Sequence, residues 1–187
     1  MADLDLETRA GLPDHLRVLV REIPRETWEA HEGFGMLTRF WLERHLAFRE
    51  ILSHLGRDTG AYLAGAMPDE TFGPRLHRLA SIFVGQLHEH HHVEDAHYFP
   101  RLARMDGRLE RGFEILDHDH TALDGHLHDF TNDTNAVLQG LNTRDVGDTV
   151  KVFHERLQGF DRFLDRHLHD EEEIIVPVLL KYGEDRV

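Results

Sequence analysis

The chain has 187 residues, enough for one domain that buries a real core without relying on disulfides or a metal alone. Its 35 acidic and 21 basic residues leave a formal charge of −14, which repels nucleic acid and anionic membrane surfaces and favours cations as partners. The absence of cysteine excludes disulfides, thiolate metal sites and thiol catalysis, so any metal falls to carboxylate and to the imidazoles of 17 histidines.

The start, Met-Ala-Asp-Leu-Asp-Leu-Glu, has neither a basic leader nor an apolar run, and no later segment reads as a membrane span. The expectation is a soluble, cytoplasmic protein. Few residues are β-branched, and apolar positions recur at three and four rather than two, which predicts an all-α chain. Residues 1–26 read as an N-terminal extension in which Leu12, Leu16, Leu19 and Ile23 are spaced to lay a short helix on the rest. A first long helix is predicted from about Thr27 to Leu55, with Phe34, Trp41, His45, Phe48, Leu52 and Leu55 on one stripe and Gly56 marking its end. A short, helix-compatible stretch, Thr59 to Met67, precedes Pro68.

The second helix is predicted from near Pro74 to about Met105; its stripe of Leu76, Leu79, Phe83 and Leu87 continues onto His90 and Glu94. Asp106-Gly107 is a turn. The third runs from about Leu109 to Leu141, with Leu116, His120, Leu123, Leu127 and Phe130 on its core face. In the fourth, from about Val146 to Tyr182, Phe153, Leu157, Phe160 and Leu164 lead to His167 and Glu171. Short connections between long helices predict an up-down-up-down four-helix bundle over residues 27–182, with 183–187 as a tail.

Two stretches share one template. His90-His-His-Val-Glu94-Asp-Ala-His-Tyr-Phe-Pro100 and His167-Leu-His-Asp-Glu171-Glu-Glu-Ile-Ile-Val-Pro177 each give His, Glu four residues on, a second acid, and Pro six residues after that Glu. Residues four apart share a helix face, so each copy aims an imidazole and a carboxylate at one point, and two copies face to face make a site for two metal ions. Iron, manganese and zinc all suit these ligand types.

Depth along the predicted bundle extends the set. His120 lies about as far before the end of helix three as His167 lies after the start of helix four, which puts them at one level. His45 sits on the stripe of helix one at a level that fits His90, whereas His31, its competitor, is about 21 Å nearer the far end at 1.5 Å per residue. Asp124, one turn after His120, is the natural further donor; its counterpart on helix one is Arg49, which cannot ligate. The two ions would then be unequally coordinated, leaving one with an open position.

The remaining histidines are less marked. His88, Glu89 and His92 spell His-Glu-x-x-His, but on a face beside the stripe and without a downstream Gly-x-x-His. His91 and His97 adjoin the site as outer partners or alternative ligands. Asp95 and Glu172 either hold a ligating imidazole's outer N–H or are exposed acids.

At these residues the chain resembles the hemerythrin-like, or HHE cation-binding, family. The pattern of His on helix one, His-x-x-x-Glu on helix two, His on helix three and His-x-x-x-Glu/Asp on helix four falls on His45, on His90 with Glu94, on His120, and on His167 with Glu171. The resemblance implies a four-helix bundle holding two non-haem irons bridged by two carboxylates and an oxo or hydroxo group. Oxygen-carrying members have a second His one turn after the helix-three ligand, where this chain has Asp124; a carboxylate there favours ferric iron and argues against reversible oxygen carriage. Ferritin-like proteins use Glu-x-x-His, the reverse order at a spacing of three.

Three functions remain open at this stage. The centre binds or senses O2, NO, a related small molecule or a redox state through a protein partner the sequence does not identify. Alternatively it is a diiron peroxidase, oxidase or NO-handling enzyme, with the metal carrying the chemistry. The third reading is a metal buffer or zinc-bound structural bundle.

Overall fold

A computed structural model describes residues 4–141, 143 and 146–187. Among the described residues the regular structure is helical throughout, without strands. Six helices are present: α1 (Val18–Glu22), α2 (Met36–Leu63), α3 (Asp69–Val93), α4 (Phe99–Met105), α5 (Glu110–Gly140) and α6 (Gly147–Tyr182). One π-helical turn, Glu94–Tyr98, joins α3 to α4. Among the described residues no helix is long and apolar enough to cross a membrane.

The boundaries of α5 and α6 fall within a residue or two of the sequence expectation, and those of α2 do not. Residues from Thr27 to Gly35 are not its first turns: Arg25–Ala30 is a 3-10 segment, and α2 starts at Met36. At its far end the chain runs straight through Gly56, because the buried stripe of Phe48, Leu52 and Leu55 continues to Thr59 and outweighs the roughly 1 kcal/mol that a mid-helix glycine costs. The glycine that ends α2 is Gly65, at φ +71°. Its N–H donates to Tyr62 O and that of Ala66 donates to Ala61 O, the paired bonds of a left-handed helix cap. Helix α3 starts at Asp69, five residues before Pro74, with Asp69 and Glu70 in the first turn where the helix dipole favours acids.

The chain divides into two compact units. One comprises residues 47–89 and 122–162, and its core is aromatic: Phe83 meets Phe48, Phe130 and Phe160 with ring centroids 6.2, 5.5 and 5.7 Å apart. The other comprises residues 1–46, 90–121 and 163–187. In it α6 is buried on every side from Asp170 to Leu180, although Asp170 to Glu173 are four consecutive acids. A helix apolar or acidic all round needs cover all round.

The N-terminal extension provides part of that cover. Leu12, Leu16 and Leu19 pack in one cluster with Ile174, Ile175, Val178 and Leu179, and Trp28 packs on Val176 and Leu180. Each fully buried side chain of this kind contributes about 1.5–3 kcal/mol. Leu12, Leu16 and Leu19 are buried as their spacing predicts, but the segment is not one helix: a 3-10 turn at Asp14–Leu16 precedes α1. At Gly33 the backbone runs so close to α6 that an added Cβ would lie 2.5 Å from Leu180 O.

Candidate metal centre

Every residue of the candidate centre lies in the second of these units. Helix α2 supplies Trp41 and His45, the end of α3 supplies His90 and His91, and the π turn supplies Glu94 and Asp95. Asp119 and His120 come from α5, and His167, Asp170, Glu171 and Glu172 from α6. The π turn has a local cause: Pro100, at the start of α4, has no N–H to continue the ladder, and a wider turn absorbs the break.

The imidazoles come in two facing pairs. His45 Nε2 lies 3.1 Å from His90 Nε2, and His120 Nε2 lies 3.1 Å from His167 Nε2. Between the pairs sit Glu94 and Glu171, each with one oxygen toward either pair. Glu94 Oε1 is 2.9 Å from His90 Nε2 and its Oε2 3.7 Å from His120 Nε2. Glu171 Oε1 is 3.4 Å from His45 Nε2 and its Oε2 3.5 Å from His167 Nε2. Trp41 Nε1–H donates to Glu171 Oε1.

The outer nitrogens fix which ring nitrogen points inward. Glu172 Oε1 is 3.0 Å from His45 Nδ1, Asp95 Oδ1 is 2.7 Å from His120 Nδ1, and Asp119 Oδ2 is 3.3 Å from His167 Nδ1. An ionised carboxylate only accepts, so each of these Nδ1 atoms carries the proton. His120 Nε2 and His167 Nε2 face each other at 3.1 Å while both Nδ1 atoms are engaged by carboxylates, so a cation between them would be held by both rings. Two nitrogens bound at about 2.1 Å and at right angles to one ion are about 3 Å apart, so the spacing suits a shared metal.

Burial shapes the charges. It holds His90 down to about 3 and lowers His91 and His167 as well, keeping them in the neutral form that ligates. Burial opposes charge on His45 too, but Glu171 and Glu172 overcome it and raise that imidazole to about 9. Burial and then the charge of Glu171 push Glu94 well above the ordinary carboxylate range. Both oxygens of Glu94, Oε2 of Glu171 and both ring nitrogens of His91 are buried without a hydrogen-bond partner among the described residues. A dication would relieve this set by displacing protons.

Two groups of side chains could each hold an ion: His45, His90, Glu94 and Glu171 in one, and His91, His120 and His167 in the other, with the ligand atoms of each within 4.8 Å of one another. Six of the seven residues expected from the sequence are brought together here. Asp124 is not: its side chain is 60% exposed and its carboxylate lies 4.0 Å from His88 Nδ1. His91 enters instead, stacked on His120 with centroids 4.1 Å apart. His97 is exposed, and His31 Nδ1 accepts from Gly33 N–H at 3.0 Å, outside both groups. His88, Glu89 and His92 are exposed.

Asp119 and Trp41 stand outside the repeated template and escape it for that reason, although Asp119 directly precedes His120 and Trp41 precedes His45 by one helical turn. Arg9, which donates to Asp119 and Asp170, and Arg25, which donates to Glu172, escape it as well. Their signal is a spacing of eight, Arg9, Arg17 and Arg25, in a stretch otherwise read only for its leucines.

No curated protein and no solved structure matches the chain. A family model described as "Hemerythrin HHE cation binding domain" matches residues 36–179, which span all of the histidines and carboxylates grouped above. The chain belongs to the hemerythrin HHE cation-binding family.

Proposed function

We propose that the protein holds two iron ions in this cluster, within an up-down four-helix bundle, and binds or senses O2, NO or a related small molecule or redox state. The observation that carries the reading is the pair of buried carboxylates, each with one oxygen toward either histidine pair. His45 and His90 would serve one ion, His91, His120 and His167 the other, and Glu94 and Glu171 both. Bound iron would supply an open coordination position and a change of redox state. The chain's own part is to engage the Nδ1 atoms through Glu172, Asp95 and Asp119, so that the Nε2 atoms point inward, and to hold Glu171 through the Trp41 N–H; an ion would displace the second proton of His45.

Anaerobic reconstitution with ferrous iron, followed by metal analysis and spectra under O2 and NO, tests this. Two irons per chain and a ligand-dependent spectrum are expected. His91→Ala should lower the stoichiometry toward one, and Asp124→Ala should leave it at two. Retention of zinc alone, or of no metal, would overturn the reading.

A further inference from the structure

The N-terminal extension places an arginine on the acid that holds each of two metal-facing imidazoles, and it lies outside the family match, which begins at residue 36. The Arg9 side chain is 2% exposed; its Nη1 donates to Asp119 Oδ1 and its Nε to Asp170 Oδ2, each at 2.8 Å, and its Nη2 also meets Asp119. Asp119 faces His167 Nδ1. Arg25 pairs with Glu172, which is 1% exposed and faces His45 Nδ1. Arg17, between them in sequence, pairs with Glu173, whose other partner is His169, an imidazole outside both groups.

We propose that Arg9 and Arg25 are positioning residues for the metal ligands His167 and His45, acting through Asp119 and Glu172. This rests on the metal-centre reading above. A carboxylate beneath an imidazole orients it only if the carboxylate is itself held in place. Arg9 and Arg25 supply the partner at the two places where the acid touches a grouped imidazole. Arg17 makes the same kind of bond where it does not, so it is a control for cementing the extension in place.

The test compares Arg9→Gln, Arg25→Gln and Arg17→Gln in the full chain, by zinc affinity from chelator competition and by 15N NMR of the histidine rings without metal. Loss of such an outer partner weakens metal binding about 10–100-fold. Arg25→Gln and Arg9→Gln should each lose about tenfold and shift the Nδ1 signal of His45 and of His167, respectively. Arg17→Gln should leave both within about twofold, even though it loosens the extension. Lys should restore Arg25, which makes one contact with Glu172, but not Arg9, whose three nitrogens serve two acids.

If Arg9→Gln does not fold, the partly exposed Arg25 carries the comparison. Equal losses in all three variants, or unmoved ring signals in Arg25→Gln, would overturn the proposal. Absence of metal from the wild type with the ring shifts intact would overturn the metal-centre reading alone.

Discussion

Replacing Glu94 by Gln separates a metal centre from a structural ion network by the sign of its effect. The side chain is 1% exposed, and neither oxygen accepts a hydrogen bond although Oε1 lies 2.9 Å from His90 Nε2. The swap keeps the volume, so no cavity opens, and replaces an ionisable carboxyl with an amide that stays neutral in the folded and unfolded chain alike. In the unfolded chain the carboxylate ionises in water near its ordinary 4.5; in the metal-free fold, burial and Glu171 raise it. A group raised in this way stabilises the fold fully only below 4.5, and that contribution drains away as pH rises through the folded value.

Near pH 7.5 the wild type therefore bears the cost of an uncompensated buried acid, about 1–3 kcal/mol. The Glu94→Gln substitution would remove most of it. At roughly 2–4 °C per kcal/mol for a chain of this length, a gain of about 2 kcal/mol raises the metal-free melting temperature by about 4–8 °C. Metal then reverses the order. A metal present at 1,000 times its Kd stabilises by about 4.1 kcal/mol, and weakening it 100-fold leaves about 1.4 kcal/mol.

The assay is calorimetric melting of both proteins, in chelator and in excess zinc. Glu94→Gln should melt higher than wild type in chelator and gain less from metal. A lower melting point in chelator, with an unchanged metal increment, would mean that Glu94 is a stabilising partner of His90, and would refute the reasoning.

Two further outcomes concern the frame around the site. The Glu184 carboxylate accepts from the N–H groups of Leu37 and Thr38 at 3.0 and 2.7 Å and from Thr38 Oγ1 at 2.6 Å, so it caps α2 from the other end of the chain. Glu184→Ala should destabilise by about 0.5–2 kcal/mol, as loss of a helix cap does, and thermal melting checks it. Asp106 is held down to about 2 by Arg108, against burial, with Tyr182 OH as a further donor. Its contribution is present above its ordinary 3.8 and lost as pH falls toward 2; Asp106→Asn should flatten acid unfolding over that window in a denaturant series.

The candidate ligands that could be read from the sequence are those whose position is set by helix periodicity alone. His45 follows from the stripe through Trp41 and Phe48, and His90 with Glu94 and His167 with Glu171 follow from a repeat at a spacing of four. Asp124 and His91 show where periodicity stops deciding. The buried face of α5 steps from His120 to Leu123 and Leu127, and Asp124, one residue past Leu123, turns to solvent. On α3 the buried steps Leu76, Ala80, Phe83 and Leu87 lead by four to His91 and by three to His90, so both neighbours point inward just before the π turn. Choosing between them needs the neighbouring helices. The arginines lay further out of reach, since nothing local says that a run of four acids on α6 will be buried under the chain's own first 30 residues.

Putting His91 in place of Asp124 in the candidate set would preserve the expected inequality of two ions and change its chemistry. On the proposed assignment, His45, His90 and the two carboxylates give four donors to one ion, and His91, His120, His167 and the same carboxylates give five to the other. On that assignment the open position would fall to the ion beside His45 and His90, where Trp41 and Tyr98 pack edge to face at 4.8 Å. With Asp124 as the extra donor, the better-coordinated ion would carry an additional anionic ligand favouring its ferric form. Neutral His91 in that place makes the set five imidazoles and two carboxylates, which removes the charge argument against reversible ligand binding. On the proposed function, whether such a centre senses or turns over its ligand would depend on the four-donor ion, and on how firmly Glu172 and Arg25 hold His45 while that ligand enters.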